Sequence, residues 1–211
     1  MKHYGRFTLT IIAAWFAFAV TASAFHLFEN AFNRIGLSVA VAALTPILVF
    51  GLWYSASENF RRFVLSLDAA VLTGAQLGRL VGFTFVLLQA HELLPAVFAF
   101  PAGYGDMIVG ATATLAAWKL ANPSRRSSFI AWQMLGITDL AVAVGVGTTT
   151  PLFNPHGVPM GLMTVLPLSL IPTFFVPLFL IFHLICIAQA RRWPSRSYAT
   201  TDTIQPAGAQ G

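Results

Sequence analysis

The chain has 211 residues, 57% of them apolar and only 9% charged, where ordinary soluble domains carry about 25% charged residues. A mean hydropathy of +0.74 excludes a soluble globule, which must cover its surface with polar groups, whereas a bilayer removes that need. The net charge of +5 is not a nucleic-acid signal, because the Lys and Arg residues sit at the ends of apolar runs instead of on one face.

The apolar runs predict an all-α, polytopic bundle of about six membrane spans, at 7–25, 36–54, 71–93, 104–120, 128–147 and 167–188. At about 20 residues per span the loops are short, so residues 1–193 form a single transmembrane domain. A polar tail, 194–211, has no apolar periodicity and is expected to be disordered and cytoplasmic.

Lys2 and Arg6 precede the first span. Arg61 and Arg62 follow the second, Lys119, Arg125 and Arg126 the fourth, and Arg191, Arg192 and Arg196 the sixth. The alternate loops hold only Arg34. The positive-inside rule therefore places both termini in the cytoplasm, in a multi-pass protein of the cell inner membrane. Lys2, Arg6, the following apolar stretch and Ala22-Ser23-Ala24 also resemble a cleavable signal peptide. The run continues through Phe25, His26, Leu27 and Phe28, which favours a retained helix; cleavage would leave five spans in the same orientation.

In the third span Gly74, Gly78 and Gly82 recur every four residues, a groove that admits a close helix. Gly110 and Thr114 of the fourth span, and Ala143 and Gly147 of the fifth, offer matching small surfaces. Tight bundle packing explains this stripe better than a signalling dimer. The sixth span carries Pro167, Pro172 and Pro177, after Pro151, Pro155 and Pro159. Each proline removes a backbone donor and clashes one turn back. This segment is therefore kinked or re-entrant, either as plain structure or as a broken helix beside a binding site.

Ionisable residues inside a span are costly and face the bundle interior with a partner. Arg79, Asp139 and His183 are of this kind, and their depths overlap. An Arg79–Asp139 ion pair is expected, with His183, Gln76 and Gln133 completing its hydrogen bonds. Such a set acts as a proton relay or solute anchor, or it only fixes helix register. His183 favours the first, because imidazole protonation changes near neutral pH.

A second polar set is expected on the outer side: His26, Glu29, His91, Glu92, Asp106 and His156. His26 and Glu29 are placed on one helical face. Asp106 follows Gly103-Tyr104-Gly105 and is read as stabilising the N-terminus of the fourth span. These are metal- and haem-ligand types, and His26, His91 and His156 are the histidines that could pair at one depth. Their spacing matches no known ligand motif, so no metal and no cofactor is expected. The chain has no Gly-rich phosphate loop, nucleophile elbow or nucleotide fingerprint. The single cysteine, Cys186, excludes an internal disulfide and reads as a packed thiol.

Several phrases together resemble a family of small bacterial multi-helix inner-membrane proteins. They are Gln76-x-x-Arg79-x-x-Gly82-x-x-Phe85, the run Leu94-Pro95-Ala96-Val97-Phe98-Ala99-Phe100-Pro101-Ala102-Gly103-Tyr104-Gly105-Asp106, then Trp132-x-x-Leu135-Gly136-Ile137-x-Asp139-Leu140, and Pro167-Leu168-x-Leu170-Ile171-Pro172-x-Phe174-Phe175-Val176-Pro177-Leu178 with His183 following. The resemblance spans about residues 71–188 and implies a fold class and no mechanism.

Three functions fit these residues. The first is passage of a small solute or proton through the polar site. The second is a membrane-embedded enzyme or redox protein using the outer histidines and acids. The third is a non-catalytic subunit or assembly factor, suited to the small size and packing glycines. The partners expected are the lipid bilayer and the solute or proton, with a homo-oligomer or a membrane partner left open.

Overall fold

A computed structural model of the chain describes residues 2–29, 37–153 and 156–194. The expected loop residue Arg34 and nearly all of the polar tail lie outside the described residues. The described elements are all helical, and the molecule is a membrane-protein bundle. Among the described residues, five helical segments are long and apolar enough to cross a membrane: Tyr4–Ala24, Ser38–Ala56, Ala69–Ala90, Pro123–Phe153 and Ile171–Ala190.

Two of these lie at the periphery. Helix α1 covers Lys2–Ala24 and α2 covers Leu37–Ala56. Only 6% of the apolar stretch of α2 is buried against protein, and Leu44, Leu48 and Leu52 point outward. Such a surface is stable against lipid and unstable against water. The start of α1 meets the end of α2, with Phe7 edge-on to Trp53 at 5.7 Å between centroids. A short amphipathic helix, α3 (Glu58–Leu65), begins there, capped by Ser57. It buries Phe60 and Val64, with Phe60 stacked on Trp53 at 3.8 Å, and leaves Arg62 exposed and Arg61 half-buried. This basic end of the bundle also carries Lys119, Arg125, Arg126, Arg191 and Arg192.

The third span is one helix in three parts: α4 (Ala69–Gly74), a 3-10 stretch Ala75–Gly82, and α5 (Phe83–Ala90). A 3-10 helix has three residues per turn and eclipses side chains at i and i+3. Thr73, Gln76, Arg79, Gly82 and Phe85 are accordingly all buried. The helix runs along α6 (Ala96–Lys119), and glycines let the two backbones meet. A Cβ at Gly82 would overlap Asp106 Cβ, and one at Gly103 would lie 3.0 Å from the Gly82 carbonyl oxygen.

Helix α6 corrects the expected fourth span. It begins at Ala96, directly after Pro95, and not near Tyr104. Pro101, Gly103 and Gly105 give this stretch the composition of a loop. Ala99, Ala102, Gly103, Asp106, Gly110 and Ala113 nevertheless form one buried face at spacings of three and four, and close packing of small residues outweighs weak propensity there. The 24 residues of α6 are about 36 Å long, enough to span a hydrocarbon core of about 30 Å. Its glycines and Asp106 keep it off the apolar list above.

Helix α7 covers Arg126–Phe153 and continues through Pro151, past the expected end near Gly147. The last span starts late: a π turn at Ile171–Phe175 precedes α8 (Val176–Ala190). Pro167 and Pro172 lie ahead of α8, and Pro177 is in its first turn. Pro177 has no N–H to give the carbonyl of Thr173, one turn back. The indole of Trp15 in α1 donates to that carbonyl instead, at 3.2 Å. Ser169 and Ser23 add a buried hydrogen bond of 2.8 Å between the same two segments. Helix α1 thus satisfies backbone that the proline-rich segment leaves open.

Candidate functional site

The polar groups of the bundle converge on Arg79, which is 1% exposed. The tight winding of Ala75–Gly82 aims its side chain between α6, α7 and α8. Nε donates to Asp106 Oδ1 at 2.7 Å. Nη2 donates to Asp139 Oδ2, whose carboxylate fits against Gly105 because a Cβ there would overlap it. Nη1 donates to the Gly136 carbonyl at 3.2 Å and faces His183 Nε2 at 3.4 Å. One planar guanidinium therefore bridges three helices, which a lysine ammonium lacks the fork to do.

Donor and acceptor roles follow from Arg79 outward. Guanidinium nitrogens only donate, so His183 Nε2 accepts and its Nδ1–H donates to Gln133 Oε1 at 2.5 Å. Gln133 Nε2 then donates to Thr73 Oγ1 at 3.0 Å. Thr73 Oγ1 lies 3.7 Å from Cys186 Sγ, and that thiol lies 3.8 Å from the Ala69 carbonyl near the basic end. Trp132 packs 5.8 Å from the His183 ring. The imidazole lies close against Gly136, where a Cβ would overlap it.

The structure thus brings Arg79, Asp139, His183 and Gln133 into one network. Gln76 stays out of the ion cluster: its Nε2 donates to the Phe179 carbonyl at 3.2 Å, and its buried Oε1 has no partner among the described residues. Asp106 is a correction. It is the eleventh residue of α6, about 15 Å from the helix start at 1.5 Å per residue. It therefore caps no helix and shares Arg79 with Asp139. The start of α6 was expected too late, which misplaced Asp106. The 3–4 spacing of small residues from Ala99 onward is the signal that finds it. Thr73 is also part of the network, and its place three residues before Gln76 is the signal for that.

The rest of the expected outer set stays dispersed. His26 and Glu29 are 2.6 Å apart, but in a turn beyond α1 and not on its face, with His26 at φ 57. His91 and Glu92 follow the end of α5 and are exposed, as is His156. Among the described residues no three His, Cys, Asp or Glu side chains gather as a metal site.

The two halves around Arg79 differ. Toward the basic end the interior is filled by Leu72, Phe129, Ile185 and Cys186, packed with Phe60 and Val64. Toward the opposite end lies a cavity of about 540 Å³ between α2, α7 and the 160–176 segment, with Glu29 near its rim and Asp106 in its wall. The cluster meeting it holds one guanidinium and two carboxylates, which with both carboxylates ionised is one negative charge in excess. That excess is costly inside a low-dielectric bundle, and one bound proton or monovalent cation relieves it. A family model described as a domain of unknown function (DUF8737) matches residues 34–191. Comparison with curated proteins and with solved structures finds no match.

Proposed function

For this chain, which belongs to the DUF8737 family of unknown function, we propose passage of a small solute or proton through the Arg79 site. The basic loops face the cytoplasm by the positive-inside rule, so the cavity opens from the other side of an inner membrane. The observation that carries the reading is Asp106: one carboxylate both lines the cavity and binds the buried Arg79. A group bound there changes the charge of the cluster that ties α6 and α7 to the 3-10 stretch.

The half toward the basic end argues for a carrier over an open channel. It is closed by packed apolar side chains. Its hydrogen-bond chain runs through Gln133, whose amide does not exchange protons as carboxylates and imidazoles do. Passage therefore requires the Arg79 cluster to open, and the broken helices on either side, Ala75–Gly82 and Ile171–Phe175, are the segments suited to it.

The test is flux in proteoliposomes loaded with a pH-sensitive dye. Under an imposed membrane potential, wild-type vesicles should pass protons, alone or on addition of small organic solutes, above the rate of protein-free vesicles. Asp139→Asn should remove that excess, and the exposed Glu58→Gln should not. Flux equal to protein-free vesicles throughout, or full flux in Asp139→Asn, contradicts the reading.

A further inference from the structure

The cavity next to Asp106 has a composition that selects its occupant. Its walls are apolar, with Phe85, Phe98, Leu140 and Met163 among them. Among the described residues its only ionisable lining residues are Glu29 and Asp106, with no Lys, Arg or His. Asp106 is 7% exposed. Its Oδ1 is taken by Arg79, while its Oδ2 accepts no hydrogen bond among the described residues. Asp106 Oδ2 is not fully buried; it is open to the cavity whose wall Asp106 helps form, where a ligand can meet it directly. The volume, about 540 Å³, is that of a small-molecule site with apolar walls and a few placed polar groups.

We propose that this cavity binds a monovalent amphipathic organic cation, with its charged centre at Asp106 Oδ2 and its apolar body against the Phe85, Phe98, Leu140 and Met163 walls. This rests on the reading that the cavity admits the passing solute, and it names the class of that solute. A neutral lipid tail would fill the walls and leave Oδ2 unsatisfied. An anion would meet Asp106 and Glu29, with no facing cation among the described lining residues. A cation satisfies the oxygen, removes the excess negative charge beside Arg79, and buries its apolar part.

Equilibrium dialysis of the purified full chain in detergent tests this with two probes of the same shape and opposite charge, tetraphenylphosphonium and tetraphenylborate. The phosphonium should bind saturably and the borate should not. Asp106→Asn keeps an acceptor for Arg79 Nε and removes the charge; it should weaken phosphonium binding roughly tenfold or more. Ala143→Phe fills the cavity away from the ion cluster and should also abolish binding, which decides the matter if Asp106→Asn does not fold. Equal binding of both probes, or phosphonium binding indifferent to Ala143→Phe, overturns the proposal. Proteoliposome flux separates the two claims. Flux without phosphonium binding overturns this inference and leaves passage standing, whereas charge-selective binding without flux supports this inference and contradicts passage.

Discussion

Two helices that contribute to the Arg79 network, the third span and the last, depart from α geometry in opposite senses. Ala75–Gly82 winds tighter and Ile171–Phe175 winds looser. The first holds no proline. Its distortion fits close approach of α6 at Gly82, Gly103 and Gly110, and it turns Thr73, Gln76 and Arg79 onto one buried face. The second has its cause in the local sequence, in Pro172 within the segment and Pro177 just after it, and it needs Trp15 of a peripheral helix to satisfy Thr173. Distortion imposed by a neighbour positions side chains. Distortion caused by proline opens backbone groups and recruits a partner for them.

The largest effect expected on the first region comes from Arg79. Arg79→Ala leaves Asp106 and Asp139 buried together without their cation, and loss of one partner of a buried pair costs about 3–5 kcal/mol. Thermal unfolding in detergent should show it. Asp139→Ala should also destabilise, and the double variant should recover part of the sum. Strict additivity would break the claim that this stretch exists to place Arg79. Arg79→Lys should rescue little, because one ammonium cannot meet both carboxylates and the Gly136 carbonyl.

The next effect separates imposed from intrinsic distortion. Gly82→Ala puts a methyl group onto Asp106 and should cost about 1–3 kcal/mol by overpacking. Gly51→Ala in α2 meets nothing within 4 Å and should be neutral or stabilising by up to about 1 kcal/mol. Equal effects in the same unfolding assay would show that contact with α6 does not shape the third span.

The last effect, no larger than that of Gly82→Ala, belongs to the second region. Trp15→Phe removes the donor to Thr173 and should cost about 1–3 kcal/mol, the penalty for a buried carbonyl left unpaired. Pro177→Ala restores a backbone N–H one turn later, so Trp15→Phe should cost less in that background. No coupling between the two substitutions would mean that α1 is not a partner of the proline-broken segment.

The helical bundle is legible in the sequence because apolar length and loop charge are strong, local signals. Arg79, Asp139 and His183 are legible as a group because a span tolerates such residues only inside the bundle. Asp106 is not, since a Pro- and Gly-rich stretch reads locally as a loop, and only its fit against Gly82 makes it a helix. The 3-10 turn lies between these cases. The phrase Gln76-x-x-Arg79-x-x-Gly82-x-x-Phe85 has a period of three, where an α-helix would drift around its axis. That period is visible without any structure, though Gly74, Gly78 and Gly82 superimpose a period of four on the same segment.

The central claim is that the buried Arg79 cluster is reached through the Asp106 cavity from the side opposite the basic loops. Side-specific thiol labelling tests it most directly. In a Cys186→Ala background, Ala143→Cys in the cavity and Ile185→Cys in the packed half are exposed to a membrane-impermeant maleimide, in vesicles of either orientation. The account predicts that Ala143→Cys reacts only from the face opposite Arg61 and Arg125, that a saturating amphipathic cation protects it, and that Ile185→Cys reacts from neither face. Labelling of Ala143→Cys from the basic face, or from neither face, would contradict it.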